Sequence, residues 1–245
     1  MILQARPVRS VWLMLKVFIG VDEVEMVAYH VLAQSIIEKC SVPVSITPVK
    51  ISMLPEYKRE RDPKQSNEFS FTRFLVPYLC GYEGHALFMD LDMLVRVDLN
   101  ELWELRDDTK SVQVVKHDYT PKNQTKYLGT IQYPYPRKNW SSVMLFNCGH
   151  DHCKRLTPDY VNTTEGLNLH RFHWTHEDCI GELSKDWNHL VGEYADNPDA
   201  KIVHWTLGGP WFHEYKGAEF SDEWRKTFDK ARHCDQLIIP TVLSA

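Results

Sequence analysis

The sequence predicts a single-domain α/β fold around a partly parallel sheet. Short apolar runs, the pattern of buried strands, alternate in the first half of the chain with segments whose apolar residues repeat at helical spacing. The chain has 245 residues, of which 43% are hydrophobic, and it shows no internal repeat or low-complexity linker. We therefore expect residues 1–245 to form one domain, with residues 1–10 as a short N-terminal leader.

The first half of the chain predicts three strands and two helices. Residues 13–19, 42–51 and 86–89 are apolar runs typical of strands, and Pro43 and Pro48 limit the pairing of the second. Apolar residues at helical spacing predict a helix after the first strand and another before the third, and Pro77 is expected to kink or shorten the latter. These residues are Val24, Val27, Ala28, Val31 and Leu32 in one helix, and Phe71, Phe74, Leu75, Tyr78 and Leu79 in the other.

The second half is less regular. Residues 112–116 and 142–146 predict two more buried strands, residues 201–205 a last strand, and residues 221–232 a charged closing helix. Because strands and helices alternate early and become irregular later, we expect the second half to build a substrate site on the sheet.

Composition narrows the function classes. A net charge of −5 argues against nucleic acid as the main partner. No apolar run approaches the roughly 20 residues that span a bilayer, and no secretory signal is evident, so we expect no transmembrane segment and a cytoplasmic location. The six cysteines form no C-x-x-C pair and are interpreted as reduced thiols.

The most informative feature is an acidic pair at the end of a predicted strand. Asp90 and Asp92 follow the apolar residues 86–89 and precede the apolar residues 93–95. Ligands of open α/β sheets bind at the carboxyl ends of strands, and carboxylates there suit Mg²⁺ or Mn²⁺. D-x-D alone is weak evidence, since a solvated turn would look the same, but burying two carboxylates between apolar segments is costly without a partner.

Several segments resemble glycosyltransferase family 8. The specific part of the likeness covers residues 70–79 (SFTRFLVPYL), 86–95 (ALFMDLDMLV) and 98–103 (DLNELW), which match the family's arginine-containing helix, D-x-D strand and D-L-x-E-L-W segment in order and spacing. Weaker likenesses are Gly20-Val21-Asp22 to the uridine-binding turn, residues 142–147 (SVMLFN) to the G-V-M-L-I-N strand, and residues 204–211 (HWTLGGPW) to the H-x-x-G-x-x-K-P-W motif.

The resemblance implies a GT-A fold, a Rossmann-like mixed central sheet flanked by helices. It also implies a UDP-sugar donor, a carbohydrate or glycoconjugate acceptor, Mn²⁺ (or Mg²⁺), and retention of the anomeric configuration. By position in the motifs, the metal ligands would be Asp90, Asp92 and His204. Contacts to the donor would come from Ile19, Gly20, Val21, Asp22, Arg73, Met89, Asp90 and Leu91.

The sequence departs from the family pattern in two places. Pro210 stands where the late motif has its lysine, so the diphosphate contact is expected from the backbone amides of Gly208 and Gly209 or from another cation. The family's D-Q-D segment is assigned to His176-Glu177-Asp178. Glu177 and Asp178 are the expected catalytic carboxylates, which would stabilise positive charge at the anomeric carbon.

Two of these residues have an ordinary structural interpretation as well. A lone histidine after an apolar strand, such as His204, is more often a hydrogen-bonded core residue than a ligand. Arg73, taken alone, is typical of a solvated helix face, although its guanidinium suits phosphate or sugar hydroxyls.

Three other functions compete. A haloacid dehalogenase-type phosphatase also has D-x-D after an apolar strand, but Asp107-Asp108 comes too soon for its later acidic pair and Glu177-Asp178 fits poorly. A nucleotidyltransferase would carry a basic, glycine-rich loop where this chain has acidic residues after Gly20. A catalytically silent nucleotide-sugar binder shares most residues with an enzyme and stays open.

Overall fold

The computed structural model describes residues 14–62, 65–123, 125–129 and 134–232, so the expected leader lies outside the described residues. Its strands are β1 (Leu15–Gly20), β2 (Val44–Val49), β3 (His85–Met89), β4 (Met93–Val95), β5 (Val112–Val115), β6 (Val143–Asn147), β7 (Ile180–Leu183), β8 (His189–Leu190) and β9 (Ile202–His204). Its α-helices are α1 (Met26–Lys39), α2 (Val76–Leu79), α3 (Asn100–Trp103), α4 (Pro158–Thr163), α5 (Gly166–His170) and α6 (Ser221–Ala231).

The central sheet is mixed and has the order β2-β1-β3-β6-β5-β7. β1 runs parallel to β2 and β3, β6 runs antiparallel to β3 and β5, and β7 runs parallel to β5. Residues of β1, β3, β5 and β6 are almost all buried, as expected of strands covered on both faces. This single-domain α/β architecture, with helices flanking a mixed central sheet, confirms the predicted fold class.

The predicted elements are found with small boundary shifts. The first helix begins at Met26, after a 3₁₀ turn (Glu23–Glu25) in which the Asp22 carboxylate accepts a hydrogen bond from Val24 N at 3.1 Å. Val24 is therefore 64% exposed and lies outside the buried stripe of α1. β2 is an edge strand, which explains why Pro48 is tolerated in it.

The second predicted α-helix is a 3₁₀ helix over its first half and an α-helix only over its last four residues. The chain forms a 3₁₀ helix at Thr72–Leu75 and only then α2, with Pro77 in the first turn of the α-helix. Proline is accepted there because its missing N–H would have no intrahelical partner in the first turn. Arg73 therefore lies on a tight 3₁₀ segment whose residues are all buried.

The strand expected at residues 201–205 is found as β9, whereas β4, β7 and β8 were not expected from the sequence. β4 and β9 pair antiparallel and β8 and β9 pair parallel, forming a second, three-stranded sheet. In this sheet Met93 pairs with His204, and Trp205 N donates to the Asp92 carbonyl at 2.9 Å. The small sheet therefore joins the end of the D-x-D segment to the late histidine.

Two expectations from composition can be compared with the described residues. No helix in this part of the chain is long and apolar enough to cross a membrane. Cys40, Cys80, Cys148, Cys153 and Cys179 are not joined in disulfides in this part of the chain.

Candidate metal and donor site

The side chains of Asp90, Asp92 and His204 come together between the carboxyl end of β3 in the central sheet and the small sheet. Asp90 and Asp92 follow β3, and the pairing of β4 with β9 brings His204 to them. One potential ligand atom from each residue lies within 4.8 Å of the other two, and His204 Nε2 is 3.2 Å from Asp92 Oδ1. The structure therefore assembles the set of two carboxylates and one imidazole that the sequence motifs indicated.

A chain of buried hydrogen bonds orients the imidazole. The hydroxyl of Ser142 donates to the Asn139 carbonyl at 2.7 Å and accepts from Asn188 Nδ2 at 2.7 Å. The Asn188 carbonyl oxygen then faces His204 Nδ1 at 2.9 Å, so this nitrogen must be the donor. The neutral ring consequently presents the lone pair of Nε2 to Asp92, which is the tautomer a metal requires.

Asn188 was missed by the sequence reasoning. It is fully buried, and it lies in a 3₁₀ helix (Lys185–Asn188) immediately before β8. Nothing in a single asparagine within an irregular segment signals contact with a histidine 16 residues later. Only the parallel pairing of β8 with β9 places it there.

The electrostatics of the acidic pair favour a cation. Burial and the neighbouring Asp92 raise the pKa of Asp90 to about 6, even though Arg73 Nη1 forms an ion pair with it at 2.7 Å. Burial opposes ionisation of Asp92 too, but its pKa lies below the ordinary value when His204 is protonated, because the charges of His204 and Lys126 favour the carboxylate. Asp92 Oδ1 is buried and accepts no hydrogen bond from the described residues. An oxygen facing an imidazole lone pair without a proton between them fits a divalent cation.

Arg73 is a buried structural cation rather than a residue of a solvated face. It is 4% exposed, and besides Asp90 it donates to the carbonyls of Ser141 at 2.8 Å and Phe69 at 3.3 Å. Its guanidinium therefore anchors the first aspartate of the pair at the wall of the cavity.

The acidic pair opens into a cavity of about 400 Å³. Lys126 is a second cation near the carboxylates, after Arg73: its Nζ donates to Thr206 Oγ1 at 3.2 Å, and both Lys126 and Thr206 line the cavity. Burial lowers the pKa of Lys126, although Asp92 and Asp90 favour its charge. The next residue fixes the segment, because the Tyr127 hydroxyl donates to the buried Glu25 and Tyr127 N donates to the Leu207 carbonyl at 2.9 Å.

Comparison with known proteins identifies the family. The profile described as "Glycosyl transferase family 8" matches residues 13–213. The chain belongs to glycosyltransferase family 8. It is also 46% identical over 217 residues to Protein CDI of Arabidopsis thaliana, which covers 85% of this chain and 84% of that protein. The chain is thus a glycosyltransferase by family, and the phosphatase alternative is excluded.

Solved glycosyltransferases share the fold at low sequence identity. The bifunctional glycosyltransferase WbbM is 13% identical with a TM-score of 0.61; the match covers 88% of this chain but 49% of WbbM, so the chain spans about half the length of that protein. The galactosyltransferase LgtC, solved with donor and acceptor sugar analogues, is 12% identical with a TM-score of 0.58, over 91% of this chain and 98% of LgtC. These likenesses show the GT-A fold.

The residues expected to contact the donor nucleoside lie next to the cluster of Asp90, Asp92 and His204 but do not line the cavity. Ile19, Val21, Asp22, Met89 and Leu91 are all buried. A Cβ on Gly20 would lie 2.2 Å from the Phe69 ring, so glycine is required there by close packing. Because β1 and β3 are parallel neighbours, with Ile19 opposite Met89, the turn at residues 20–22 nevertheless follows the strand end beside Asp90.

The two late glycines do not offer amides to the cavity. Gly208 and Gly209 are buried, neither lines the cavity, and the Gly208 N–H already donates to the Trp205 carbonyl at 2.9 Å. A side chain at either position would collide with the ring of Tyr215 or Trp211. Their role in the described structure is packing, and of the two expected replacements for the missing lysine it is another cation, Lys126, that lies in the cavity.

Glu177 and Asp178 are not brought to the cavity. They lie in a 3₁₀ helix (Glu177–Cys179) before β7, which starts beside Val112. Val112 pairs with Phe146, at the end of β6 that is remote from Val143 and Asp90. Both acidic side chains are exposed, and Glu177 pairs with Arg137. This placement does not support the expectation that they stabilise charge at the anomeric carbon, because neither residue lines the cavity.

Instead, α5 and the residues on either side of it contribute to the cavity. Glu165, Gly166, Leu167, His170 and Arg171 all line it. Ser141 Oγ contacts His170 Nδ1 at 2.8 Å, which ties α5 to the segment before β6. The sequence reasoning passed over this segment because a five-residue helix starting at glycine gives almost no periodic signal.

Proposed function

We propose that this chain transfers a hexose or N-acetylhexosamine from a UDP-sugar to a carbohydrate or glycoconjugate acceptor, with Mn²⁺ (or Mg²⁺) as cofactor and retention of anomeric configuration. The observation that carries the proposal is the Asp90, Asp92 and His204 cluster at one wall of the cavity, with Asn188 holding the tautomer that leaves Nε2 unprotonated.

Asp90, Asp92 and His204 would hold the metal. A carboxylate and imidazole donor set suits Mn²⁺ better than Mg²⁺, which prefers oxygen ligands and bound water. When bound, the cation would neutralise charge on the donor diphosphate, both in binding and as the sugar–phosphate bond breaks.

Lys126 would take the place of the family's diphosphate lysine. It comes from the segment before β6 and not from the motif after β9. It nevertheless lies in the same cavity as Asp90 and Asp92, the carboxylates that would bind the metal. Its ammonium group lines the same cavity and can donate to phosphate oxygens as a point charge. Arg73 contributes by fixing Asp90, and thus acts on the donor through that carboxylate.

The nucleoside would extend from the cavity towards the ends of β1 and β3, where Ile19, Gly20, Val21, Asp22, Met89 and Leu91 lie buried behind the cavity wall. A nucleotide whose diphosphate lies at Asp90 reaches these strand ends, because β1 ends beside β3. The donor sugar and the acceptor would then occupy the part of the cavity lined by Glu165, His170 and Arg171, in and beside α5. Such polar side chains suit the hydroxyl groups of carbohydrates.

Retention is carried over from the family resemblance and requires no particular base in the cavity wall. Apart from Asp90 and Asp92, the acidic residues of the described lining are Asp62 and Glu165. A retaining transferase needs no strong base for the acceptor hydroxyl, since the leaving diphosphate oxygen can accept that proton on the same face of the sugar. The protein then contributes positioning and charge stabilisation.

A screen of UDP-sugars for Mn²⁺-dependent release of UDP, with and without sugar acceptors, tests the proposal. We expect release with at least one UDP-hexose or UDP-N-acetylhexosamine, loss of release in chelator, and loss in Asp92→Asn. Asp199→Asn, which changes an exposed aspartate before β9, is the matched control and should release UDP at the wild-type rate.

The silent-binder alternative gives a different result in the same assay. A protein that binds UDP-sugar in Mn²⁺ without releasing UDP, with any acceptor supplied, would contradict the transferase and favour the binder. NMR of the new glycosidic bond separates retention from inversion.

A further inference from the structure

A second cluster of potential metal ligands lies far from the donor site. His150 and His152 follow β6, and Cys179 immediately precedes β7. One ligand atom from each lies within 4.8 Å of the others, and all three residues are half-buried. Asn147, at the end of β6, pairs with His85 at the start of β3, whereas Asp90 follows the other end of β3. The cluster and Asp90 therefore lie at opposite ends of the strands.

Hydrogen bonds orient His152 as a ligand. The Ser111 hydroxyl donates to the Cys179 carbonyl at 3.0 Å, and it therefore accepts from Thr175 Oγ1 at 2.7 Å. Thr175 Oγ1 must then accept from His152 Nδ1, which is 2.8 Å away. This leaves the lone pair of His152 Nε2 unprotonated, and a hydrogen-bonded Nδ1–H behind it is the usual arrangement of a metal-binding histidine.

Two further imidazoles surround His152. The ring centroids of His150 and His176 each lie 4.8 Å from that of His152. His150 Nδ1 accepts a hydrogen bond from the backbone N–H of His152 at 3.1 Å, so in the neutral ring the proton is on Nε2. For Nε2 of His150 to bind a metal, this hydrogen bond must break and the proton must move to Nδ1. His176 is exposed and precedes the 3₁₀ helix that contains Cys179, which makes it the candidate for a fourth ligand.

The chemistry of these side chains differs from that of the donor site. Thiolate and imidazole are the ligands of structural zinc, whereas Mn²⁺ and Mg²⁺ prefer oxygen. Zinc binds them at about 2.0–2.3 Å, so small side-chain rotations would close the present separations. Binding requires the Cys179 thiol to lose its proton to solvent as the Zn–S bond forms.

We propose that His150, His152 and Cys179, with His176 as the fourth ligand, form a structural zinc site. The ion joins the segment after β6 to the segment before β7, which are separated in the sheet by β5. It would stabilise this end of the sheet without taking part in glycosyl transfer, and the inference does not depend on the proposed function.

Cobalt substitution in the whole chain tests the site. Chelator-treated protein carrying Asp92→Asn, which disables the donor site, is titrated with Co²⁺ and then with Zn²⁺. We expect one equivalent of Co²⁺ with the absorption bands of tetrahedral, thiolate-bound cobalt, and displacement of these bands by Zn²⁺. In this background Cys179→Ser should abolish the thiolate band and weaken zinc binding by at least about 100-fold, and Thr175→Val should weaken it by about 10-fold.

Cys40→Ser is the control, since Cys40 is another half-buried free thiol, at the end of α1. It should leave the cobalt spectrum unchanged. The proposal is overturned if the parent protein gives no thiolate–cobalt band, if Cys179→Ser keeps it, or if Cys40→Ser removes it. The titration of the parent protein decides the question even where a variant fails to fold.

Discussion

Replacing Asn188 with leucine tests how the protein prepares His204 for a metal. Asn188 is fully buried, and its amide group joins Ser142 Oγ at 2.7 Å to His204 Nδ1 at 2.9 Å. Leucine has the same branched arrangement of four side-chain heavy atoms, although its methyl groups need more room, and it makes neither bond. The substitution therefore leaves the Nδ1–H of His204 buried and unpaired while keeping both carboxylates in place.

The two consequences have different sizes. An unpaired buried donor costs about 1–3 kcal/mol of the free energy of unfolding. Loss of the group that fixes a ligand histidine typically weakens metal binding by about 10–100-fold. We expect Asn188→Leu to lower Tm and to raise the Kd for Mn²⁺ by that factor, with much of the activity recovered at high Mn²⁺ concentration.

The assay is a titration of the free Mn²⁺ signal by electron paramagnetic resonance, beside thermal unfolding. Asn197→Leu is the control, because Asn197 donates to Asp186 at 2.9 Å and makes no described contact with His204. It should lose stability without losing Mn²⁺ affinity. Unchanged Mn²⁺ binding in Asn188→Leu, or equal weakening in both variants, would refute the idea that Asn188 sets the histidine tautomer.

Three further outcomes follow from the same structure. Lys126→Ala should weaken UDP binding by about 10–100-fold, since a hydrogen bond to a charged group contributes about 1.5–3 kcal/mol, while Lys122→Ala, an exposed lysine, should leave the calorimetric affinity unchanged. Glu177→Gln should keep the wild-type kcat in the UDP-release assay, because Glu177 lies outside the cavity; a large fall would restore its catalytic assignment. Burial, together with His204 and Lys185, lowers the pKa of His117 from its ordinary value of 6.5 to about 3. Below pH 6.5, His117 therefore binds a proton in the unfolded state but not in the folded state. Stability should therefore fall as pH drops from 6.5, by up to about 2 kcal/mol at pH 5, and denaturant titrations should show a smaller fall in His117→Asn.

The fold could be predicted because its central strands carry a strong signal. β1, β3, β5 and β6 are continuous apolar runs, as strands buried on both faces must be. β4 and β8 have three and two residues, too few for any periodicity, and their pairing is set by tertiary contacts. The 3₁₀ segment before α2 was predicted as α-helix, because apolar spacing does not distinguish the two.

Some residues of the candidate site could be predicted from the sequence, and others could not. Asp90 and Asp92 were visible because two acids at a strand end are costly to bury, and His204 because of a motif. Glu177 and Asp178 were expected in the site because they were matched to the family's D-Q-D segment. The register of β7 with β5 places them at the ends of the strands that are remote from Asp90. Lys126 lies in an irregular segment where a lysine carries no signal, so only its proximity to the acidic pair reveals it.

The central claim is that the cluster of Asp90, Asp92 and His204 binds the metal and the diphosphate of a UDP-sugar. Calorimetric titration of UDP into wild-type protein and Asp92→Asn, in Mn²⁺ and in chelator, measures it most directly. The account predicts micromolar UDP binding by the wild type in Mn²⁺, and much weaker binding in chelator or in Asp92→Asn. Equal UDP affinity under all four conditions, or equal affinity for UDP, GDP and CDP, would contradict it.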